Sequence, residues 1–481
     1  MNTVPSIKSA TLAAAILCSQ FSMPGSALAE AAIDQVIVRQ QWPWSTDVKI
    51  EYRISGVTTP VDISVTAYNG TTPLDSSKIS SALSGDCYGI AESGAGTIIL
   101  DPVKAFGNEK VAIGDFRVEL ETVESAAAMS DVLYKIFCLT NNTCVNVRRA
   151  DLLNGKYGTI ETDFGKIGSG FSTTLDDVII WTDVTNNLAY KTTHLVMRKV
   201  PAKNVDWKIG SSSSDGAKEW ATHHYSETQH DVKLTQDYYI GVFEVTQNQY
   251  ERICGSNPSL ALYKGFPDSA YHPVSYVSYD DIRGGTSRVA NGENINWPTN
   301  SYKHLVYGES LCGKMRTKFG IDFDIPTEAQ WEFACRAGTT APLYSGFASS
   351  SANVDPLAWY KGNVTIVTVS GVNYPYTHAV GAKKPNAFGL YDILGNVVEC
   401  CLDWRTDDID VNGTEDPLVD PEGPVAGSGG RMFRGGSVFY DWDSRCCRSA
   451  DRSNPFGSSD TSARYYYGVR LVCPVGSTWE D

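Results

Sequence analysis

Val48, Ile50, Tyr52 and Ile54 alternate with polar residues along the chain. So do Val61, Ile63, Val65 and Ala67, and further on Phe116, Val118 and Leu120. A period of two places one face of an extended chain against a core. Clusters of Gly, Asn, Asp and Pro separate these runs, as turns require. The pattern predicts an all-β, immunoglobulin-like sandwich over residues 30–125. Residues 126–194 read as a connecting β-rich segment, in which DVIIWTDV predicts one further strand.

From about residue 195 the texture changes. Trp, Tyr, Gly and Asn rise, and long helical periods are few. Three short helices carry start signals. Thr246 to Gln249 and Thr327 to Gln330 form capping boxes, and Ser278 to Asp281 caps VSYDDIRG. The helix after Thr327 carries Trp331, Phe333, Ala334 and Cys335 and is expected to stop at Gly338. Short helices among many turns predict a compact, irregular domain from about residue 195.

The first 29 residues have the form of a signal peptide. Lys8 precedes a mostly apolar run from Leu12 to Phe21, and Ala27-Leu28-Ala29 fits a small-x-small cleavage site before Glu30. The run is too short to span a bilayer, and no later segment is long and apolar enough to do so. A secreted or periplasmic mature chain is expected. The formal net charge of -15 argues against nucleic acid or an anionic membrane surface as partner. Export permits disulfides. Removing Cys18 from twelve cysteines leaves an odd number, so at least one is free or pairs between chains. Cys138 and Cys144 flank LTNNT and can close a small loop.

Five motifs occur in order: YYIGVFEVTQNQY, HPVSYVSYDD, FDIPTEAQWEFACRAGT, NAFGLYDILGNVVE and FRGGS…CRSADR…YYGVRLV. Together they resemble the sulfatase-modifying-factor family, whose founding member is the formylglycine-generating enzyme. The resemblance covers residues 195–475 and implies a C-type-lectin-like α+β fold with little regular structure. It also implies structural calcium. One site would use the side chains of Asp392 and Glu399 and the carbonyls of Gly395 and Val397. Hard oxygens on a flexible loop suit that ion. A second would begin at Asn353 and Val354.

The founding enzyme binds copper through two cysteines after GGS and oxidises a substrate cysteine with oxygen. Here Tyr440 stands at the first of those positions, and Ser444 or Arg445 at the second. Cu(I) needs soft thiolates, so copper is not expected. Cys446 and Cys447 are adjacent, and on an extended chain they point to opposite sides. His223, His224 and His230 form a histidine cluster in a polar, Ser-rich loop, where solvation is expected over metal binding. The run from Val438 to Tyr466 is rich in Tyr, Ser, Asp and Arg, a composition suited to recognition surfaces. Within it Phe439, Tyr440, Trp442, Asp443, Tyr465 and Tyr466 are the candidate ligand contacts, for a protein or glycan. Arg448 and Arg452 are expected to pair with buried carboxylates or carbonyls. Some lectin-fold relatives are variable proteins of diversity-generating retroelements, and this run resembles their exchanged segment. The sequence therefore predicts an exported ligand-binding protein. The alternative is a formylglycine-generating-type oxidoreductase, or another enzyme, acting in the cleft near Ser437.

Overall fold

The computed structural model describes residues 31–40, 46–57, 60–107, 115–125, 131–161, 179–212, 227–259, 268–285, 293–294, 305–347, 350–369, 372–409, 417–423, 430–439, 444–452 and 461–476. The chain divides into two compact units. One comprises Met1–Asp131 with Arg148–Ile160, the other Val132–Val147 with Glu161–Asp481.

In the first unit a four-stranded antiparallel sheet runs in the order Ala32–Gln40, Val48–Ser55, Gly94–Leu100, Leu83–Gly85. A three-stranded antiparallel sheet orders Thr72–Pro73, Val61–Asn69, Phe116–Glu124. The alternating residues do face inward: Val48, Ile50, Tyr52, Ile54, Val61, Ile63, Val65 and Ala67 share one buried cluster. Strands alone do not complete it. Helices Ser76–Ser81 and Pro102–Phe106, N-capped by Asp75 and Asp101, add Ile79 and Ala105. Each is under two turns long, too short for an apolar period to register.

The segment expected to connect the two parts is itself divided. Val132–Cys138 belongs to the second unit, in a five-stranded sheet ordered Val472–Pro474, Tyr238–Gly241, His194–Val200, Val132–Cys138, Thr143–Arg148. Every residue of Val132–Cys138 is buried. A strand covered on both faces shows no alternation, and its membership could not be read from periodicity. Among the described residues of DVIIWTDV, Ile180–Trp181 forms the strand, followed by a 3-10 turn at Thr182–Thr185.

The five-stranded sheet separates two hydrophobic clusters. Tyr238, Ile240 and Val472 join one; Tyr239, Met197, Phe137 and Cys473 join the other. The three capped helices form as expected, at Gln247–Cys254, Tyr279–Ile282 and Glu328–Arg336, each with a reciprocal capping box. The last stops one residue early. Ala337 takes the left-handed conformation at φ 44°, ahead of Gly338 at φ 93°.

All eleven cysteines after Cys18 are thiols. The loop closure considered for Cys138 and Cys144 does not form. Phe137 and Leu139 enter one cluster, against which Cys144 packs, whereas Cys138 lies between them on the strand's other face. Among the described residues no helix is long and apolar enough to cross a membrane.

Candidate functional site

The GGS turn follows strand Arg431–Arg434, which pairs antiparallel with Val398–Trp404. Gly435 and Gly436 both have positive φ, 96° and 74°. A Cβ on Gly436 would lie 2.7 Å from the Cys446 carbonyl, so glycine is required for this close approach. The turn is stitched to the DILGN loop: Gly395 N–H donates to the Gly435 carbonyl at 2.7 Å, and Val438 N–H to the Asn396 carbonyl at 3.1 Å. Ser437 is buried, and its hydroxyl accepts from Phe439 N–H. The alternative reading placed chemistry in a cleft near Ser437; the side chain itself faces inward.

Beneath the turn lies a charged cluster. Arg470, fully buried, donates to Glu399 at 2.8 Å and to the carbonyls of Gly241, Val242 and Tyr391. Trp331 Nε1 donates to the other Glu399 oxygen at 2.6 Å. Glu244 accepts from the Asn396 amide and from Val397 N–H. Burial, then the charges of Asp392 and Glu399, push the Glu244 carboxyl well up. Burial likewise raises Asp392 to about 6. One Asp392 oxygen accepts from Gly381 N–H at 2.5 Å; the other is buried with no hydrogen-bond partner.

These facts bear on calcium. The orphaned Asp392 oxygen and the left-handed Gly395 suit a cation held by the loop. Glu399 is shared with Arg470, so it offers such an ion less than a whole carboxylate. At the second expected site, the Val354 carbonyl already accepts from Leu357 and Ala358 N–H, and Asn353 N–H donates to Ser350. Among the described residues no group of three His, Cys, Asp or Glu is disposed to hold a metal.

At the copper positions, Ser444 is buried and its hydroxyl lies 3.2 Å from that of Ser351. Cys446 and Cys447 enter opposite clusters, as adjacency demands. His230 pairs with Asp408 at 2.7 Å; His223 and His224 lie outside the described residues.

Of the candidate ligand contacts, Tyr440, Trp442 and Asp443 also lie outside the described residues. Phe439 and Tyr465 are half-buried and meet edge-to-face at 4.8 Å. Tyr466 differs from expectation. It is 4% exposed, stacks on Phe439 at 4.5 Å and belongs to the core. Two rings that sequence reasoning passed over complete the group: Tyr374, 5.3 Å from Tyr465, and Tyr276, 6.2 Å from it. Tyr276 has φ 61°, uncommon for a bulky residue, and its N–H donates to the Arg464 carbonyl. Nothing in HPVSYVSYDD signalled that conformation.

Arginine pairs anchor the segment after the turn. Arg448 forks onto Glu227 with two bonds of 2.7 Å, and Arg452 onto Glu328. Helix Glu328–Arg336 supplies Glu328 and also Glu332, which binds Arg336 and Arg434. Asp403 caps the same helix, accepting from Glu328 N–H at 2.6 Å. Burial first, and the Glu328 charge next, push its carboxyl up to about 8. An unfolded Asp loses its proton near 4, so above that pH folding must retain a proton the open chain has shed. This contribution therefore lowers stability as pH rises from about 4 to about 8. Melting curves across that window should be flatter for Asp403→Asn than for the parent. An unchanged slope would count against the raised carboxyl.

Residues 199–475 match the profile of the Sulfatase-modifying factor enzyme 1-like domain. That is more than half of the chain, which therefore belongs to this family. The chain is 33% identical over 144 residues to the formylglycine-generating enzyme of Thermomonospora curvata, covering 29% of this chain and 46% of that one. It is 28% identical over 179 residues to the chaperone protein LppX of Paenibacillus barcinonensis, covering 35% and 63%. These matches thus span less than two thirds of either relative's length. Among solved structures, Treponema denticola variable protein 1 is 25% identical, with 58% of this chain and 95% of that one covered and a TM-score of 0.42.

Proposed function

We propose that the second unit is the binding domain of an exported protein and that it captures a protein or glycan on the face carrying Phe439, Tyr465, Tyr276 and Tyr374. The observation that carries this reading is the group of half-exposed rings beside the GGS turn, one of them held at φ 61°. Rings fixed by their neighbours supply contact area at low entropic cost. Departures from ordinary backbone conformation gather at functional sites. Tyr440 at the first copper position supports binding over formylglycine synthesis. The run from Val438 to Tyr466 fits the exchanged segment of a variable protein of a diversity-generating retroelement. A near-repeat of its coding sequence beside a reverse transcriptase gene is the corresponding genomic signature. The first unit, with two antiparallel sheets on one core, fits an immunoglobulin-like spacer.

The test pairs Tyr465→Ala and Trp442→Ala. Truncating a central ring should cost about 2 kcal/mol or more of binding. Capture on glycan and protein arrays should be lost in both variants, with melting temperatures close to the parent. Full capture by Tyr465→Ala overturns the proposed face. The copper-supplemented protein should also leave a sulfatase-derived cysteine peptide unoxidised; an aldehyde product in the mass spectrum reverses the reading toward catalysis.

Calcium is proposed at the DILGN loop, held by Asp392, the carbonyls of Gly395 and Val397, and the Glu399 oxygens shared with Arg470. Its part is structural, bracing the loop against the GGS turn. A ligand bound only to the folded state raises stability. Chelation should lower the melting temperature of the parent but not of Asp392→Ala. Equal curves for the parent with and without chelator, and no metal by elemental analysis, remove the ion from the proposal.

A further inference from the structure

The run SARYYY places one charged residue, Arg464, directly before the rings of Tyr465 and Tyr466. Its main chain is fastened on two sides. The Arg464 carbonyl accepts from Tyr276 N–H at 2.9 Å and from Tyr467 N–H at 3.0 Å, so it joins a ring of the proposed face to a buried strand. Its side chain is exposed. Nη1 donates to the neighbouring Ala463 carbonyl at 3.3 Å, and the guanidinium also hydrogen-bonds the Tyr466 hydroxyl. A guanidinium presents a fork of donors, and these two bonds leave part of it open. Arg448, Arg452 and Arg470 each grip a carboxylate. Among the described residues Arg464 has no carboxylate partner.

The surroundings of this cation differ from the rest of an acidic chain, whose formal net charge is -15. Burial raises the pKa of the Tyr276, Tyr466 and Tyr467 hydroxyls, and the Arg464 charge opposes that rise in all three. Among the described residues no carboxylate acts on any of them. Tyr374 comes from the hairpin Ile366–Val369 and Val372–Pro375, and no Asp, Glu, Lys or Arg occurs between Lys361 and Lys383. Asp441 and Asp443 lie outside the described residues. The rings also have a definite shape. Tyr465 meets Phe439 at 80° and Tyr374 at 84°. Walls set nearly at right angles make a notch for a side chain, whereas a sugar ring stacks on a flat, open ring face.

We infer that this face takes an acidic polypeptide segment of a partner protein, with an Asp or Glu carboxylate on Arg464 and an adjacent apolar side chain among Phe439, Tyr465 and Tyr374. The guanidinium fork matches a carboxylate, and a bond between two charged groups is stronger than one between neutral groups. The inference rests on the proposed binding face and narrows its ligand to protein. The net charge of the chain repels an acidic partner elsewhere, so the one cation beside the rings sets where the segment docks.

The probe is a peptide selected from a phage-displayed random library on the full-length protein and then made synthetically. Its Kd is measured by fluorescence anisotropy. The selected sequences should carry Asp or Glu beside an apolar residue. Arg464→Glu should weaken the synthetic peptide by about tenfold or more. The same peptide with its acidic residue changed to Lys should bind Arg464→Glu more tightly than it binds the parent, a rescue that misfolding cannot produce. If Arg464→Glu melts early, Arg464→Gln decides the point: it should weaken the acidic peptide and leave the Asn or Gln counterpart unchanged. Selected sequences without acidic residues overturn the carboxylate. So does equal affinity of the acidic peptide for the parent and both Arg464 variants; if Tyr465→Ala still loses it, the ring face stands. Loss in no variant overturns both. An empty selection overturns the polypeptide ligand, whether or not acidic glycans are captured on arrays. Concentration-dependent self-association abolished by Arg464→Glu overturns the partner in favour of a second copy of this chain.

Discussion

Replacing Arg470 with methionine is expected to destabilise the second unit by about 3–5 kcal/mol. The side chain is fully buried, and its donors serve Glu399 and three backbone carbonyls. Methionine fills a similar volume but leaves Glu399 buried without its cation, near Asp392 and Glu244, which burial already pushes toward their neutral forms. The loss comes from the uncompensated carboxylate more than from the attraction removed. Adding Glu399→Gln should therefore recover part of it, so that the double variant is more stable than the sum of the two single changes predicts. Denaturant melts of the four proteins measure this coupling. Strict additivity would mean that Arg470 acts through packing alone.

Tyr466→Ala should also be costly, by about 3–5 kcal/mol, the range for removing a large ring from a core. Tyr466 stacks on Phe439 and sits edge-on to Tyr465 and Tyr467, at 4.5, 5.2 and 5.1 Å. Its neighbour Tyr465 is half-buried, and truncation there should act on binding with little effect on melting. Equal melting temperatures for the two alanine variants would place Tyr466 on the surface, as its sequence context first implied.

That pair shows where sequence reading ends. Tyr465 and Tyr466 are chemically identical and adjacent, and composition assigns both to a recognition surface. Only the parallel pairing of Tyr467–Gly468 with Val398–Trp404 decides which ring turns inward. Local signals were legible: three capping boxes, the alternating runs of the first unit, and the opposed directions of Cys446 and Cys447. The five ordered motifs identified the family. Long-range placement was not legible. Val132–Cys138 carries no alternation because both its faces are covered. Tyr276 carries no mark of its left-handed backbone, since that follows from the Arg464 carbonyl on a distant loop. The Arg448–Glu227 pair spans more than two hundred residues, and only the arginine's need for a carboxylate could be anticipated.

The fastenings on either side of residues 440–443 have an evolutionary consequence. Before them, Val438 is tied to Asn396; after them, Cys446 and Cys447 enter two separate cores and Arg448 grips Glu227. We propose that the frame these ties build holds when the four positions between them are exchanged, much as type is changed in a locked press. An engineer could use the same property, randomising those four positions and reading new specificities from a constant scaffold.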